Sequence, residues 1–283
     1  MTAEILRYAA FTVDGKGGNP AGVVLDATSL DAAQMQVIAT EVGDSETAFL
    51  VARDTRPNVY DVRYFSPAQE VPFCGHATIA SAIALAERSP ADVLIFHAAA
   101  GFVSIATFQN DKGELVAELT SVAPRVSQPP PDLLLAILGA LRWSADDLDP
   151  DYPELLANAG AEHLVLVTKT RQRLADLDYD FDDLAKVMLQ YGLVTVLLVW
   201  PETKNRYHAR NPAAGLGVVE DPATGAAAAA FGGYLRELAM IGENAEFTIS
   251  QGVDMGRPSE IAVSVIAGEP GVRVAGAAHR IDD

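Results

Sequence analysis

Two short segments carry residues suited to chemistry, because each places a polar side chain beside a glycine that opens a helix. The first runs from Pro72 to Ala80 and contains His76, and the second runs from Asp221 to Ala228. A third candidate, Glu46, directly follows a helix stop and precedes a strand, where a side chain can point into a cleft. A carboxylate in that place can accept a proton from one carbon and return it to another. Glu46, His76 and Asp221 are therefore the candidate catalytic residues.

Each of these residues also has a purely structural interpretation. Glu46 can be an exposed strand-start residue that is bonded to a nearby loop, and His76 can cap a helix within a satisfied network. Asp221 precedes Pro222 at a helix start, which is a common capping arrangement. In the functional interpretation, the helix dipole favours the neutral ring of His76, which then donates one hydrogen bond and accepts another in a relay with Asp221.

The two helix starts are candidate anion sites. Backbone N–H groups without helical partners and the positive end of the dipole meet at a helix N-terminus. Gly75 and Ala77 at the first start, and Gly225 and Ala226 at the second, are therefore candidate substrate-binding residues. Two such starts that face one another would form an anion-holding cleft between the two halves of the chain. The side-chain alternatives for holding the anion are Arg210 and Arg257, a less favoured choice in a chain with a net charge of −18.

Metal, thiol and nucleotide chemistry have little support in the sequence. Cys74 is the single cysteine, so no intrachain disulfide is possible, and we predict a small buried residue rather than a base. The five histidines, at positions 76, 97, 163, 208 and 279, include no pair at ligand spacing. The Gly215-Leu216-Gly217 segment lacks the third glycine of a dinucleotide fingerprint. We predict no metal, no nicotinamide and no flavin.

An internal duplication positions these residues. Gly75 and Gly225 lie 225 − 75 = 150 residues apart in a chain of 283, so each half has its own glycine-headed helix. The small residues that follow each glycine allow the helix to lie deep in a core. The remaining segments mostly alternate like strands, which predicts a largely β architecture with one long helix buried in each half.

The segment from Pro124 to Pro131, with four prolines and no periodicity, is the predicted linker. The N-terminal half is then 1–124, the C-terminal half is 125–267, and the last segment, about 268–283, is assigned to the first half. In the first half, the i, i+3, i+4, i+7 spacing of Met35, Ile38, Ala39 and Val42 predicts a helix that is capped by Thr28 or Ser29 and ended by Gly43.

The composition of the chain limits the kinds of partner that it can bind. With 38 acidic and 20 basic residues, the chain has no long-range attraction to nucleic acid or to an anionic membrane. No apolar run approaches the ~18 residues that a membrane span needs. The N-terminus has no basic region ahead of an apolar core, which predicts a cytoplasmic location. The expected partner is a small molecule that carries a carboxylate.

Six segments, in order along the chain, resemble the phenazine-biosynthesis-type isomerases, a family that shares the diaminopimelate epimerase fold. They are Gly18-Asn19-Pro20-Ala21, Ser45-Glu46-Thr47-Ala48-Phe49, Arg63-Tyr64-Phe65, Phe73-Cys74-Gly75-His76-Ala77-Thr78, Glu220-Asp221-Pro222-Ala223-Thr224-Gly225, and Gln251-Gly252 with Met255-Gly256-Arg257-Pro258. The resemblance implies an α+β fold of two pseudo-symmetric halves, each a curved, mostly antiparallel sheet around a central helix. It also implies an active site in the cleft between the halves, and a homodimer.

The resemblance further implies acid–base chemistry without a cofactor. The catalytic glutamate of the phenazine-pathway isomerase matches Glu46, its supporting polar residues match His76 and Asp221, and Asn19 joins the candidate substrate-binding residues. That enzyme moves a proton across a dihydro-hydroxyanthranilate skeleton. The two-thiol racemases of the same fold need a second cysteine, which this chain lacks.

One position departs from the family. The residue after Gly225 is commonly a serine that binds substrate in the phenazine enzyme, and here it is Ala226. Two functions therefore remain from different classes: a cofactor-independent isomerase that moves a proton on a small carboxylated metabolite, and a non-catalytic small-molecule-binding protein that retains the cleft. The presence of Glu46, His76 and Asp221 together favours the isomerase.

Overall fold

The computed structural model of the protein describes residues 3–53 and 56–281. The chain forms two compact units: unit 1 comprises Met1–Thr120 with Ala275–Asp283, and unit 2 comprises Ser121–Val274. The sequence places the same two transitions at residue 124 and at about residue 268. The outermost positions of the predicted halves, 1–2 and 282–283, lie outside the described residues.

Along its first 120 residues, unit 1 consists mostly of strands, with one helix after the second strand and another after the fifth. In chain order they are β1 (Leu6–Ala10), β2 (Asn19–Val24), α1 (Ala32–Val42), β3 (Thr47–Ala52), β4 (Val59–Phe65), β5 (Glu70–Val71), α2 (Gly75–Arg88), β6 (Val93–Ala98), β7 (Gly101–Gln109) and β8 (Leu115–Thr120).

Unit 2 contains most of the remaining elements. They are β9 (Arg125–Ser127), α3 (Pro131–Leu141), β10 (Leu155–Asn158), β11 (Glu162–Val167), α4 (Arg171–Ala175), α5 (Phe181–Tyr191), β12 (Thr195–Thr203), β13 (Arg206–Ala213), β14 (Val218–Asp221), α6 (Gly225–Glu237), β15 (Ala245–Gln251) and β16 (Ser259–Val265). The last strand, β17 (Arg273–Arg280), begins in unit 2 and returns the chain to unit 1.

The strands of unit 1 close into a barrel around α2. Neighbouring pairs run β1–β2–β3–β4–β6–β7–β8–β17, and β17 pairs with β1 to complete the ring. The residues of α2 from His76 to Ala86 are all buried, and five of these eleven are alanine. Small side chains let the helix axis approach the surrounding sheet closely, so this helix fills the core instead of lying on it.

Unit 2 repeats this plan with α6 as its central helix. Its sheet pairs β9–β10–β11–β12–β13–β15–β16 in order. Helix α6 is buried from Ala227 to Leu235. Gly233 is required there, because a Cβ at that position would lie 2.2 Å from the Pro124 Cβ atom.

The order of parallel and antiparallel pairs shows the duplication directly. In unit 1, β2–β3 and β4–β6 are parallel while β3–β4 and β6–β7 are antiparallel. In unit 2, β11–β12 and β13–β15 are parallel while β12–β13 and β15–β16 are antiparallel. The predicted architecture, an α+β fold of two similar halves that each place a mostly antiparallel sheet around a central helix, is confirmed.

Two local predictions were wrong. The proposed linker from Pro124 to Pro131 contains β9 and the first residue of α3. Pro131 can begin that helix because the first helical position needs no N–H group for a helical hydrogen bond. Helix α1 is capped by Asp31, in a capping box with Gln34, and not by Thr28 or Ser29. None of the described helices is both long and apolar enough to span a membrane.

Candidate active site

Glu46 lies in unit 1 where the chain passes from α1 to β3. Gly43 ends α1 in the left-handed conformation with φ 70°, and its N–H donates to the Ala39 carbonyl. The Asp44 carboxylate then accepts hydrogen bonds from Arg7, with the shortest contact at 2.7 Å, which fixes the turn. The Glu46 carbonyl accepts from the Gly22 N–H at 3.1 Å. These bonds set the direction of the Glu46 side chain, which is 20% exposed.

The start of α2 supplies the neighbours of Glu46. Cys74 is the N-cap residue, and its Sγ atom accepts from the Ala77 N–H at 3.5 Å. The Thr78 hydroxyl donates to the Cys74 carbonyl at 2.7 Å and also contacts the Tyr64 hydroxyl at 2.6 Å. Burial raises the pKa of Tyr64, so its hydroxyl stays neutral in this network. The helix start is thus held from both the backbone and the core.

Three polar side chains meet at this point. The Glu46 Oε2 atom lies 3.4 Å from Cys74 Sγ and 3.4 Å from His76 Nε2. Cys74 Sγ is 3.7 Å from His76 Nε2 and 3.4 Å from His76 Nδ1. Cys74 and His76 are buried, so Glu46 is the member of this cluster that solvent or a small molecule reaches most easily.

Asn19 is the amide neighbour of the His76 ring. Its Nδ2 atom lies 3.3 Å from His76 Nδ1, and Asn19 is completely buried. An amide N–H that donates to Nδ1 leaves the neutral ring with its proton on Nε2. In that tautomer the ring proton is on the nitrogen that lies 3.4 Å from the Glu46 carboxylate.

The two predicted substrate-binding residues on α2, Gly75 and Ala77, differ in how accessible their backbone is to a ligand. The N–H of Ala77 is already used by Cys74 Sγ, and Ala77 is fully buried. Gly75 is half-buried, and a Cβ added there would meet only the Phe73 ring, at 4.0 Å. The space in front of the Gly75 backbone is therefore open, which suits the approach of a ligand atom.

In unit 2, the loop before α6 is built around Gln251. The Gln251 amide nitrogen donates to the Asp221 carbonyl at 2.6 Å and to the Thr224 hydroxyl at 3.0 Å, and its oxygen accepts from the Thr224 N–H at 3.2 Å. The Thr224 hydroxyl donates in turn to the Asp221 carboxylate at 2.6 Å. Asp221 is half-buried and oriented by this network, as are the half-buried Gly225 and Ala226 that begin α6.

Arg210, one of the two arginines that offered a side-chain anion site, is already paired. Arg210 makes a two-pronged ion pair with Glu220, at 2.9 and 2.5 Å, and also donates to the Ala175 carbonyl at 2.8 Å. The two side chains are 12% and 5% exposed. The nearby Tyr179 has its pKa raised to about 12 by burial and by the Glu220 charge. A buried, neutralised guanidinium is a poor site for a second carboxylate, because the ligand would have to displace Glu220.

The structure therefore brings Glu46, His76 and Asn19 together in unit 1, and Asp221, Gly225 and Ala226 together in unit 2. The sequence did not reveal that Cys74 contacts both Glu46 and His76, nor that Gln251 holds Asp221 and Thr224. The sequence pointed to Gln251 only by its place in the Gln251-Gly252 segment, one of the six that resemble the family. That segment does not indicate which atoms the Gln251 side chain bonds.

The sequence is similar to one family of known proteins. The family model described as phenazine biosynthesis-like protein (PhzC-PhzF) matches residues 8–282. A Deinococcus radiodurans protein named an uncharacterized isomerase is 34% identical over 281 residues, which cover 93% of this chain and 88% of that protein. A Pseudomonas aeruginosa protein named trans-2,3-dihydro-3-hydroxyanthranilate isomerase is 29% identical over 259 residues, which cover 89% of this chain and 86% of that protein.

The fold is similarly matched by solved structures. The crystal structure of a Bacillus anthracis phenazine biosynthesis protein of the PhzF family superposes with a TM-score of 0.89. The match covers 100% of this chain and 98% of that one, at 26% sequence identity.

Proposed function

Because the chain belongs to the phenazine biosynthesis-like (PhzC-PhzF) family, we propose that it moves a proton between two carbons of a small carboxylated metabolite, with Glu46 as the acid–base group. That the chain is an isomerase follows from the family and from the names of its relatives.

The contact between Glu46 and His76 carries the proposal. His76 Nε2 lies 3.4 Å from the Glu46 Oε2 atom, so the ring restricts where the carboxylate can lie. The carboxylate is partly exposed, so a substrate carbon can reach it. A base that is oriented by a second side chain is the arrangement expected of a positioned proton carrier.

The reaction is an internal exchange of bonds. The ionised Glu46 takes a proton from one substrate carbon, the C–H bond breaks, and its electron pair moves into the adjacent conjugated system. The protonated Glu46 then returns the proton to another carbon, a new C–H bond forms, and the carboxylate is restored. Nothing is oxidised or reduced, so this step needs no redox cofactor.

The carboxylated substrate class is supported by the helix starts and by one relative. The Pseudomonas aeruginosa relative is named for an anthranilate derivative, which is a carboxylic acid. In this chain, the open backbone at Gly75 and the half-buried Gly225 and Ala226 offer N–H groups at the positive ends of helices. Asp221, fixed by Thr224 and Gln251, is assigned a supporting polar role.

Deuterium incorporation tests the proposal. Small carboxylated metabolites are incubated with the protein in D₂O, and isomer formation is followed by NMR while label uptake is followed by mass spectrometry. Because Glu46 is partly exposed, its proton exchanges with solvent in some turnovers and leaves deuterium in the product. Labelled isomer from the wild-type protein, and its loss in Glu46→Gln, are expected. Equal labelling by the two proteins would remove Glu46 from the mechanism.

Ala226 supports a second candidate, a protein that binds a small molecule without turning it over. It occupies the second position of α6, where the family commonly places a substrate-binding serine, and a methyl group offers no hydroxyl there. If this candidate holds, a carboxylate that protects the protein against thermal unfolding would show neither isomerisation nor label uptake. Recovery of turnover in Ala226→Ser would then identify the missing hydroxyl as the cause.

A further inference from the structure

The side-chain cluster at Glu46 has the donor set of a metal site. Within residues 3–53 and 56–281, Glu46, Cys74 and His76 each offer one ligand atom, and these atoms lie within 4.8 Å of one another. A carboxylate oxygen, a thiolate sulfur and an imidazole nitrogen together suit zinc and similar divalent ions more than magnesium or calcium. The residues are 28 and 2 positions apart in sequence, so their spacing does not resemble a metal motif.

The separations of the donor atoms match one face of a coordination tetrahedron. Zinc bonds of about 2.3 Å to sulfur and about 2.0–2.1 Å to nitrogen and oxygen imply tetrahedral edges of about 3.5 Å for pairs with sulfur and about 3.3 Å for N···O. The observed distances are 3.4 Å for Sγ···Oε2, 3.7 Å for Sγ···Nε2 and 3.4 Å for Nε2···Oε2. Shifts of about 0.2 Å or less would complete the face.

The surrounding groups can support an ion in this position. The Ala77 N–H donates to Cys74 Sγ at the start of α2, where the helix dipole favours a thiolate. Zinc at His76 Nε2 requires the ring proton on Nδ1. The Asn19 Nδ2 atom lies 3.3 Å from His76 Nδ1, and rotation of the amide by half a turn would put the amide oxygen in its place. A metal-bound histidine almost always donates its second ring N–H to an oxygen acceptor, and the Asn19 amide oxygen would supply one here.

We propose that Glu46, Cys74 and His76 bind one Zn²⁺ ion, with the fourth position open on the exposed side of Glu46. On binding, the Cys74 thiol loses its proton to solvent, and no atom changes oxidation state. Binding itself rests only on the donor geometry. Its consequence, inhibition, rests on the proposed function, because the ion occupies the carboxylate that would carry the proton.

Zinc titration of untagged protein, stripped with a chelator and dialysed, tests the binding. Competition with a chromophoric zinc chelator should report one ion per chain, and millimolar Mg²⁺ should not compete. Cys74→Ala should weaken binding at least about 100-fold, the upper end of what losing even an outer-shell partner costs. The matched control is His208→Ala, which removes an imidazole 3.1 Å from the Glu202 carboxylate but no thiol, and it should change nothing at this site.

Two further readouts keep the test decisive if Cys74→Ala is poorly folded. Cys74→Ser retains an N-cap oxygen and a wild-type fold, yet should lose the thiolate-to-metal charge-transfer band that Co²⁺ gives with the wild-type protein. Because Cys74 is the single cysteine, zinc should also slow its alkylation by iodoacetamide. Absence of one-to-one binding, or equal zinc affinity in wild-type and Cys74→Ser proteins, would overturn the proposal.

The same titration separates this inference from the proposed function. Zinc binding that depends on Cys74, together with no labelled isomer from any carboxylate, would uphold the site and reject the reaction. Labelled isomer that depends on Glu46, without zinc binding, would do the opposite. Both together predict that added zinc stops labelling in the wild-type protein.

Discussion

At the scale of single residues, Glu46 can be replaced at little structural cost, so its substitution is a direct test of the proposed reaction. Its carboxylate is partly exposed and is held by His76 and Cys74, whereas its backbone is fixed by bonds that a change of side chain leaves in place. Residues of this kind separate function from stability in mutagenesis, because removing the charge does not open a cavity.

Glu46→Gln should lower turnover by about 10²–10⁴-fold, the usual contribution of a positioned acid–base group. The amide is nearly isosteric but cannot accept and return a proton, so the thermal unfolding midpoint should change little. Glu46→Asp should also have low turnover, since the shorter side chain withdraws the carboxylate by one bond. Glu41→Gln, an exposed glutamate on α1, is the matched control and should behave as wild type. Near-normal turnover in Glu46→Gln would disprove the assigned role.

Cys74→Ala should retain turnover to within about tenfold and should resist thiol reagents. The 3.4 Å contact between Glu46 and His76 does not pass through the sulfur, so the proton carrier keeps its partner. The variant should lose about 0.5–2 kcal/mol of stability, because the Ala77 N–H loses its cap, and Cys74→Ser should restore most of it. Complete loss of turnover in a folded Cys74→Ala protein would instead indicate a thiol mechanism.

Removal of bound metal should not reduce turnover. The proposed step uses only a carboxylate, so protein dialysed against a chelator should be at least as active as the starting material, while added zinc should inhibit it. Turnover is measured before and after dialysis, with elemental analysis of both samples. Activity that disappears on chelation and returns with zinc would make the ion part of the catalytic machinery.

At the scale of elements, the sequence predicted what depends on local patterns. The buried helices are apparent from glycine-headed runs of small residues, and the α1 stop from Gly43. The contacts of Cys74 with Glu46 and of Gln251 with Asp221 were not predictable, since each joins residues that are far apart in sequence and depends on how separate elements pack. The helix cap was misassigned because Thr28, Ser29 and Asp31 are all good capping residues, and the choice depends on Gln34 completing a reciprocal pair.

The loop that orients Asp221 requires a glycine at position 252. It has φ 71°, and a Cβ there would lie 2.2 Å from the Arg257 carbonyl oxygen and 2.8 Å from that of Pro222. Gly252→Ala should therefore cost more stability than the ~1–2 kcal/mol of left-handed strain alone, and should reduce turnover by displacing the Asp221 turn.

Gly256 provides the control for that substitution. It has nearly the same φ, 72°, but a Cβ there meets nothing within 4 Å. Gly256→Ala should show the strain alone, and urea unfolding of the two variants measures the difference. Equal destabilisation would mean that the loop relaxes around the added methyl group and that the close contacts do not matter.

At the scale of the whole molecule, each unit carries its own spectroscopic probe. The two tryptophans, Trp143 and Trp200, both belong to unit 2 and pack on one core cluster. The single thiol, Cys74, is buried in unit 1. Tryptophan fluorescence therefore follows the unfolding of one unit, and thiol labelling follows the other, in the same intact protein.

A buried histidine makes the stability of unit 2 depend on pH. His163 on β11 is completely buried, and its Nδ1–H donates to the Thr195 hydroxyl at 2.8 Å, while that hydroxyl donates to the Asn211 side-chain oxygen at 2.7 Å. Among the described residues, no hydrogen-bond partner faces His163 Nε2. Burial lowers the pKa of His163 to about 3, because a proton on Nε2 would place an unsatisfied charge in the core.

The direction of the pH effect follows from this lowered pKa. Below the unfolded-state value of about 6.5, the unfolded chain binds a proton that the folded chain refuses, so the His163 contribution is complete above that pH and is lost as pH falls toward 3. The slope contributed by this one group is at most about 1.4 kcal/mol per pH unit. Urea unfolding followed by tryptophan fluorescence at pH 7, 5.5 and 4.5 should show it, and His163→Gln should flatten the dependence. His97→Gln, in unit 1, should leave the tryptophan transition unchanged; a His163→Gln protein with the wild-type pH dependence would show that other groups govern the acid response of this unit.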